Sequence, residues 1–293
     1  MSSVPEFLNE TLYAEWGQRF QQTKTLFSFD TGFQKLVIFE NPLFGRVMAL
    51  DGVIQTTEKD EFVYHEMLTH VPILAHGKVT DVLVIGGGDG GIVREVLRHK
   101  NIKHVTMVEI DPAVVEMSKK HLPNHSAGAF EDPRLKLEYM DGAKFVAETE
   151  KRYDVIITDS TDPIGPGEAL FTHDYYAQCK RCLKDGGVLV TQNGVGFMQL
   201  SETQDTYRRQ SPIFKDAGFY VAAVPTYVGG NMHLAWATDN ATLRTQPVEE
   251  IRQRFQAAGF KTRYYTPEVH VAAFALPQYV LDALKEVELA AAA

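Results

Sequence analysis

The hydrophobic pattern of this chain changes period twice. Lys35–Glu40 reads as a strand, Asn41-Pro42 as a turn, Gly45–Leu50 as a second strand closed by Asp51-Gly52, and Val53–Thr56 as a continued β run. So short an antiparallel piece needs a larger body to pack against. Helical spacing follows. Thr57 and Asp60 have capping-box spacing and open a helix through Tyr64, His65, Met67 and Leu68 to about Ala75, with Pro72 expected to bend it. From Asp81 onward strands (82–85, 104–109, 135–139, 153–158, 187–192) alternate with helices (90–99, 112–121, 142–150, 173–183). That alternation predicts a parallel sheet covered on both faces.

The last part of the pattern departs from a plain dinucleotide-binding fold. Phe219–Val224 and Met232–Ala237 read as two strands joined by Pro225–Gly230, a helix is expected at 247–258, the stretch near 277–289 finishes the chain, and Ala290–Ala293 is expected to fray. A final antiparallel hairpin on a parallel sheet is the topology of sulfonium-nucleoside methyltransferases. The expected fold is therefore α/β: a small N-terminal antiparallel β domain (1–56) before a methyltransferase-like, Rossmann-type domain (57–293) with a mostly parallel sheet.

Composition narrows the partners. The chain has 293 residues, 44% of them hydrophobic, enough for a sizeable core. Its 38 acidic against 29 basic residues give a net charge of -9, which disfavours nucleic acid or an anionic membrane and favours a cationic ligand. No run approaches the ~18 apolar residues of a membrane span. Met1–Glu6 lacks the basic and apolar stretches of a signal peptide, so a cytoplasmic location is expected. Cys179 and Cys182 form a C-x-x-C, but the surrounding residues read as the last turns of a helix stopped by Gly186-Gly187. No second ligand pair completes a zinc site.

The chemistry concentrates at the strand ends. Gly86, Gly88 and Gly91 satisfy the dinucleotide fingerprint, whose backbone N–H groups ordinarily receive a pyrophosphate. Asp89 sits where that phosphate belongs, and a carboxylate there repels phosphate and welcomes a cation. Glu109 ends the next strand where a ribose carboxylate is expected, a placement that fits NAD binding equally well. Asp141-Gly142 suits either an acceptor for an adenine amino group or a plain helix cap. Asp159 and Asp162 lie three residues apart on a Pro/Gly-rich loop, and like charges crowded in a cleft cost energy unless a cation pairs with them. Five carboxylates around one crevice suit a sulfonium nucleoside and an amine. His65 and His70 are five apart, about 140° around a helix, so they do not share a metal. His65 suits a substrate pocket or a partly exposed helical position.

These residues also carry a resemblance. Val84–Gly91, the stretch Asp51–Met67, the loop Asp159–Pro166 and Pro225-Thr226-Tyr227, in that order, resemble the motifs of polyamine aminopropyltransferases over nearly the whole chain. The resemblance implies a homodimer that moves the aminopropyl group of decarboxylated S-adenosylmethionine to putrescine, giving spermidine and methylthioadenosine. The donor is a co-substrate, and no cofactor or metal is implied. Asp159 becomes the proton acceptor. Asp162 and Asp89 hold ammonium groups, with Tyr64, His65 and Tyr227 lining the amine channel. Glu109 holds the ribose, Asp141 and Gly142 the adenine, and Gln34, Gln55 and Pro166 touch the nucleoside.

Chemistry agrees with that assignment. Ordinary values of ~4 for Asp and ~10 for an alkyl amine make full proton transfer uphill, so the proton moves late or through water. The carboxylate of undecarboxylated S-adenosylmethionine would meet Asp89 and be disfavoured. That counts against an amine N-methyltransferase. An NAD-dependent dehydrogenase is opposed by Asp89 and the final hairpin, and an inactive polyamine- or nucleoside-binding protein by Asp159, Tyr64 and Tyr227.

Overall fold

A computed structural model describes residues 6–163 and 165–292, without the Pro166 side chain. The signal-peptide reading of the first five residues, the Pro166 contact and Ala293 fall outside the described residues. The chain opens with a hairpin, β1 (Glu6–Asn9) and β2 (Arg19–Gln22), and a four-stranded antiparallel sheet, β3 (Lys24–Asp30), β4 (Lys35–Asn41), β5 (Gly45–Leu50) and β6 (Val53–Thr57). Alternation along β4 and β5 splits their side chains between two faces. Val37, Phe39, Val47 and Ala49 pack with Phe20 of β2, whereas Leu36, Ile38, Met48 and Leu50 pack on Val114 and Leu122 of the larger body.

That body follows in order: α1 (Glu61–His76), β7 (Asp81–Gly86), α2 (Gly91–Leu97), β8 (His104–Glu109), α3 (Pro112–His121), α4 (Pro123–Ser126), β9 (Leu135–Tyr139), α5 (Gly142–Glu148) and β10 (Tyr153–Asp159). Then come α6 (His173–Cys182), β11 (Leu183–Val195), α7 (Leu200–Gln210), β12 (Asp216–Ala222), β13 (Met232–Thr238), α8 (Val248–Ala258), α9 (Pro267–Ala273) and α10 (Gln278–Ala292). The seven strands β7–β13 form one sheet in the order β12-β13-β11-β10-β7-β8-β9. The run from β11 to β9 is parallel, and β13 is antiparallel to both its neighbours, β11 and β12, so the final hairpin closes a mostly parallel sheet as expected. Val82 and Val84 face one core while Leu83 and Ile85 face the other, so β7 is apolar throughout because both faces are covered.

Several local expectations need correction. Asp60, not Thr57, begins α1, and its carboxylate caps nothing there. It instead accepts from the Thr57 hydroxyl and from the Thr226 N–H (2.9 Å) and hydroxyl (2.8 Å), tying the helix start to the loop before β13. Gly186-Gly187 does not stop α6: β11 starts at Leu183, and the glycines lie within it where the register with β10 shifts. α10 continues to Ala292 rather than fraying from Ala290, in keeping with the high helix propensity of alanine. Sequence reasoning missed β1–β3, α4, α7 and α9.

Candidate active site

Crossovers leave β7 in one direction and β10 in the other, so the two form the switch point where open α/β sheets bind ligands. Gly86 and Asp159, the last residues of these strands, pair directly, and Gly87 N–H donates to the Asp159 carbonyl at 3.2 Å. The approach is close enough that a Cβ on Gly86 would lie 2.0 Å from that carbonyl oxygen, and its φ of 79° is left-handed. Above this point opens a cavity of about 1350 Å³ counting its mouth. Its wall includes all five strand-end carboxylates (Asp89, Glu109, Asp141, Asp159 and Asp162) together with Gln34, Gln55, Tyr64, His65, Gly142 and Tyr227.

The glycine loop explains why Asp89 stands in it. The carboxylate itself accepts the Gly91 N–H at 2.7 Å, taking the place at the α2 N-terminus that a phosphate would take. Its other oxygen meets His65 Nε2 at 3.2 Å, and His65 Nδ1 meets Glu61 at 2.5 Å. His65 is 2% exposed, which removes the partly exposed reading. Burial alone would neutralise the imidazole, but Asp89 and Glu61 overcome it and push its pKa up to about 10. Burial likewise opposes the Asp89 charge, and His65 outweighs it, holding the carboxyl well below the usual carboxylate range. The cation that Asp89 called for in the sequence is thus first of all a side chain of the protein.

Asp159 is in the opposite state. Withdrawal from water and the neighbouring Asp89 charge raise its carboxyl to about 6, with His65 and a hydrogen bond from Tyr64 pulling the other way. Tyr64 Oη donates to Asp159 Oδ1 at 2.7 Å, and its ring stands edge-on to Tyr227 with centroids 5.8 Å apart. Tyr227 Oη donates to the Gln55 carbonyl. Asp162 accepts from Gln192 Nε2 at 3.0 Å, and burial raises its carboxyl too.

The nucleoside side is less uniform. Burial lifts Glu109 to about 7 even though backbone N–H groups of Asp111 and Ile110 favour its charge. Gln34 lies on the wall with its amide 3.3 Å from Asp111, and Gln55 Nε2 donates to the Val53 carbonyl at 3.2 Å. Asp141 caps α5, accepting from Ala143 N at 2.7 Å, so the helix-cap reading holds for one of its oxygens while the residue also faces the cavity. A side chain on Gly142 would strike Ile85, its Cβ lying 2.4 Å from a methyl.

Sequence reasoning missed a polar wall supplied by remote segments. Glu10 and Tyr13, from the connection between β1 and β2, line the cavity with Gln192, Gln199 and Thr226. Tyr13 Oη donates to Gln199 Oε1 at 3.0 Å, and Gln199 donates to Glu202 at 2.9 Å. Burial, with Asp162 nearby, raises Glu202 to about 7, and burial raises Glu10.

His70 faces away from His65, meeting Glu95 at 2.9 Å and His99 at 3.0 Å. Among the described residues no group of three or more His, Cys, Asp or Glu has a metal-holding arrangement. Cys179 and Cys182 are free and buried, and burial pushes both thiols up.

Sheet order, the final hairpin and an acid-lined cavity at the switch point define a methyltransferase-like α/β enzyme. Residues 61–247 match the spermine/spermidine synthase domain, and residues 9–58 match the spermidine synthase tetramerisation domain. The chain belongs to the spermine/spermidine synthase family. It is 61% identical over 277 residues to the polyamine aminopropyltransferase of Pseudomonas syringae pv. tomato, covering 94% of this chain and 97% of that one. The Escherichia fergusonii polyamine aminopropyltransferase is 59% identical, at 94% and 96% coverage. The crystal structure of a spermidine synthase in complex with the transition state analogue AdoDATO superposes with a TM-score of 0.91, 36% identity and 98% coverage of each chain. The Thermotoga maritima spermidine synthase gives 0.87, 35% and 97% of each chain.

Proposed function

We propose that the protein is a spermidine-forming aminopropyltransferase, moving the aminopropyl group of decarboxylated S-adenosylmethionine to putrescine and releasing methylthioadenosine. The observation that carries this reading is the carboxylate ring itself, with one member, Asp159, poised near 6 and hydrogen-bonded to Tyr64. A dicationic acceptor and a sulfonium donor bring the charge that such a ring lacks. No cofactor is needed, because the sulfonium is already an activated leaving group.

In this reading Glu109 accepts from the ribose hydroxyls, and the Asp141 oxygen left free by the helix cap accepts from the adenine amino group. Gln34 and Gln55 border the nucleoside. Asp89 holds the ammonium of the aminopropyl chain. Tyr64, His65 and Tyr227 wall the amine channel, and Asp162 with Gln192, Glu10 and Tyr13 receives the far ammonium of the diamine. One amine nitrogen gives up its proton to Asp159 as it attacks the carbon beside sulfur. The C–N bond forms while the C–S bond breaks, and its electron pair leaves on sulfur. Holding both reactants in line supplies much of the rate.

The N-terminal β domain (1–56) is read as the assembly element of a cytoplasmic homodimer, with a tetramer as the other outcome of a sedimentation measurement. No described helix is long and apolar enough to cross a membrane. Initial rates of methylthioadenosine release with putrescine, cadaverine and spermidine as acceptors test the reading. Putrescine giving the highest kcat/KM supports it, and no release with any of the three overturns it.

A further inference from the structure

We propose that Glu61 and Arg94 are positioning residues for amine transfer: they clamp the His65 ring against Asp89, so that Asp89 enters the cavity as half of an ion pair rather than as a free anion. The inference rests on the function proposed above, and on geometry outside the cavity. Neither Glu61 nor Arg94 lines the cavity wall, whereas His65 and Asp89 both do. Arg94 Nη2 holds Glu61 Oε2 at 2.8 Å, and that same oxygen takes His65 Nδ1. Arg94 is fixed in turn by the His125 carbonyl at 2.7 Å and by Glu95 at 2.8 Å.

Both ring nitrogens of His65 face carboxylates, and only the doubly protonated imidazolium donates on both sides. A neutral ring would turn a lone pair toward Glu61 or Asp89. The ring is also held sterically, since a Cβ on Gly91 would lie 2.2 Å from it. Other groups surround it without competing for its protons. Tyr64 stands edge-on beside it on α1 and spends its hydroxyl on Asp159. From α4 the His125 ring stands 6.1 Å away, with Nε2 engaged by the Thr56 hydroxyl.

The charge of His65 matters at Asp159. Asp89 raises the Asp159 carboxyl and His65 lowers it. If His65 loses its proton, its pull against Asp89 is lost and only the Tyr64 hydrogen bond still favours the Asp159 carboxylate. Glu61 keeps that from happening over the working pH range, because it is one of the two carboxylates that push His65 up to about 10.

The test combines spectroscopy and kinetics on the full chain. In protein labelled with ¹⁵N-histidine, the His65 ring is expected to stay doubly protonated from pH 6 to about 9, and in Glu61→Gln its titration should fall by about 1–3 pH units. The alkaline limb of kcat/KM, where His65 gives up its proton, should then move to lower pH in Glu61→Gln and return toward the wild-type position in Glu61→Asp. A merely structural Glu61 would lower activity equally at every pH. A wild-type His65 that titrates near its ordinary value overturns the clamp without any variant having to fold. So does a Glu61→Gln profile that overlays the wild type. If the wild-type protein transfers no aminopropyl group, the functional reading fails while the His65 titration still decides the clamp.

Discussion

Replacing Asp159 by Asn removes the proton acceptor while disturbing little else. The amide oxygen keeps an acceptor for Tyr64 Oη, now 2.7 Å from the carboxylate, and the side chain keeps its size. An ordinary Asp lies about 6 pH units below an alkyl amine, and each unit is 1.36 kcal/mol, so proton transfer to it is uphill by about 8 kcal/mol. With Asp159 raised to about 6 the gap narrows to about 4 units, or about 5.5 kcal/mol. The amide accepts no proton at all, leaving water as the alternative. The expected loss in kcat is about 10²–10⁴-fold. Methylthioadenosine affinity, measured by calorimetry, should stay unchanged. In the wild type, kcat/KM should rise with pH through about 6 as Asp159 ionises, and this limb should vanish in Asp159→Asn. A variant within about tenfold of wild-type kcat would remove Asp159 from the acceptor role.

Other outcomes follow from the same contacts. Gly91→Ala places a methyl against the His65 ring, so it should disrupt donor binding and lower the melting temperature; a wild-type KM would mean that the ring moves freely. Glu66 accepts backbone N–H groups of Arg263, Tyr264 and Tyr265, each at 2.8 Å, anchoring the segment before α9 to α1. Glu66→Gln turns an amide donor toward them and should cost about 2–4 kcal/mol in urea unfolding. Glu109 and Asp159 have folded-state values of about 7 and about 6, above the ordinary ~4 of an unfolded carboxyl. Their contribution to stability is therefore present below pH ~4 and lost as pH rises through 6–7. Putrescine with methylthioadenosine should accordingly raise the melting temperature more at pH 8 than at pH 5.5. Cys179→Ser with Cys182→Ala should leave the pH profile unchanged, and thiol reagents should act on the wild type only once it unfolds.

The parallel sheet was legible because burial on both faces leaves an uninterrupted apolar run, as in Val82–Ile85, between glycine and helix signals. The first strands were not. Exposed residues dominate β3, whose alternation is too weak to stand out from a loop. α7 buries Thr203, Thr206 and Gln210, so polar residues carry its helical period and no apolar stripe announces it. At the site, carboxylates were readable because each lies at the end of a strand or within three residues of it, a position that local sequence specifies. Their partners were not, because pairing is tertiary. His65 was assigned to the amine channel, yet its contact with Asp89 depends on how α1 packs against the glycine loop, while Glu61 is its i,i+4 neighbour on α1. Glu10 and Tyr13 reach the cavity from a connection that carries no motif. The Asp89 argument changed most: its carboxylate takes the place at the α2 N-terminus where a phosphate would sit, but its charge is paired with His65.

The central claim is that this cavity joins an aminopropyl group to a diamine. Deuterium-labelled putrescine and decarboxylated S-adenosylmethionine, incubated with the purified protein and followed by mass spectrometry, test it most directly. One methylthioadenosine should appear for each spermidine, and that spermidine should retain all of the label. Labelled N-methylputrescine formed from S-adenosylmethionine, with no spermidine from the decarboxylated donor, would contradict the account.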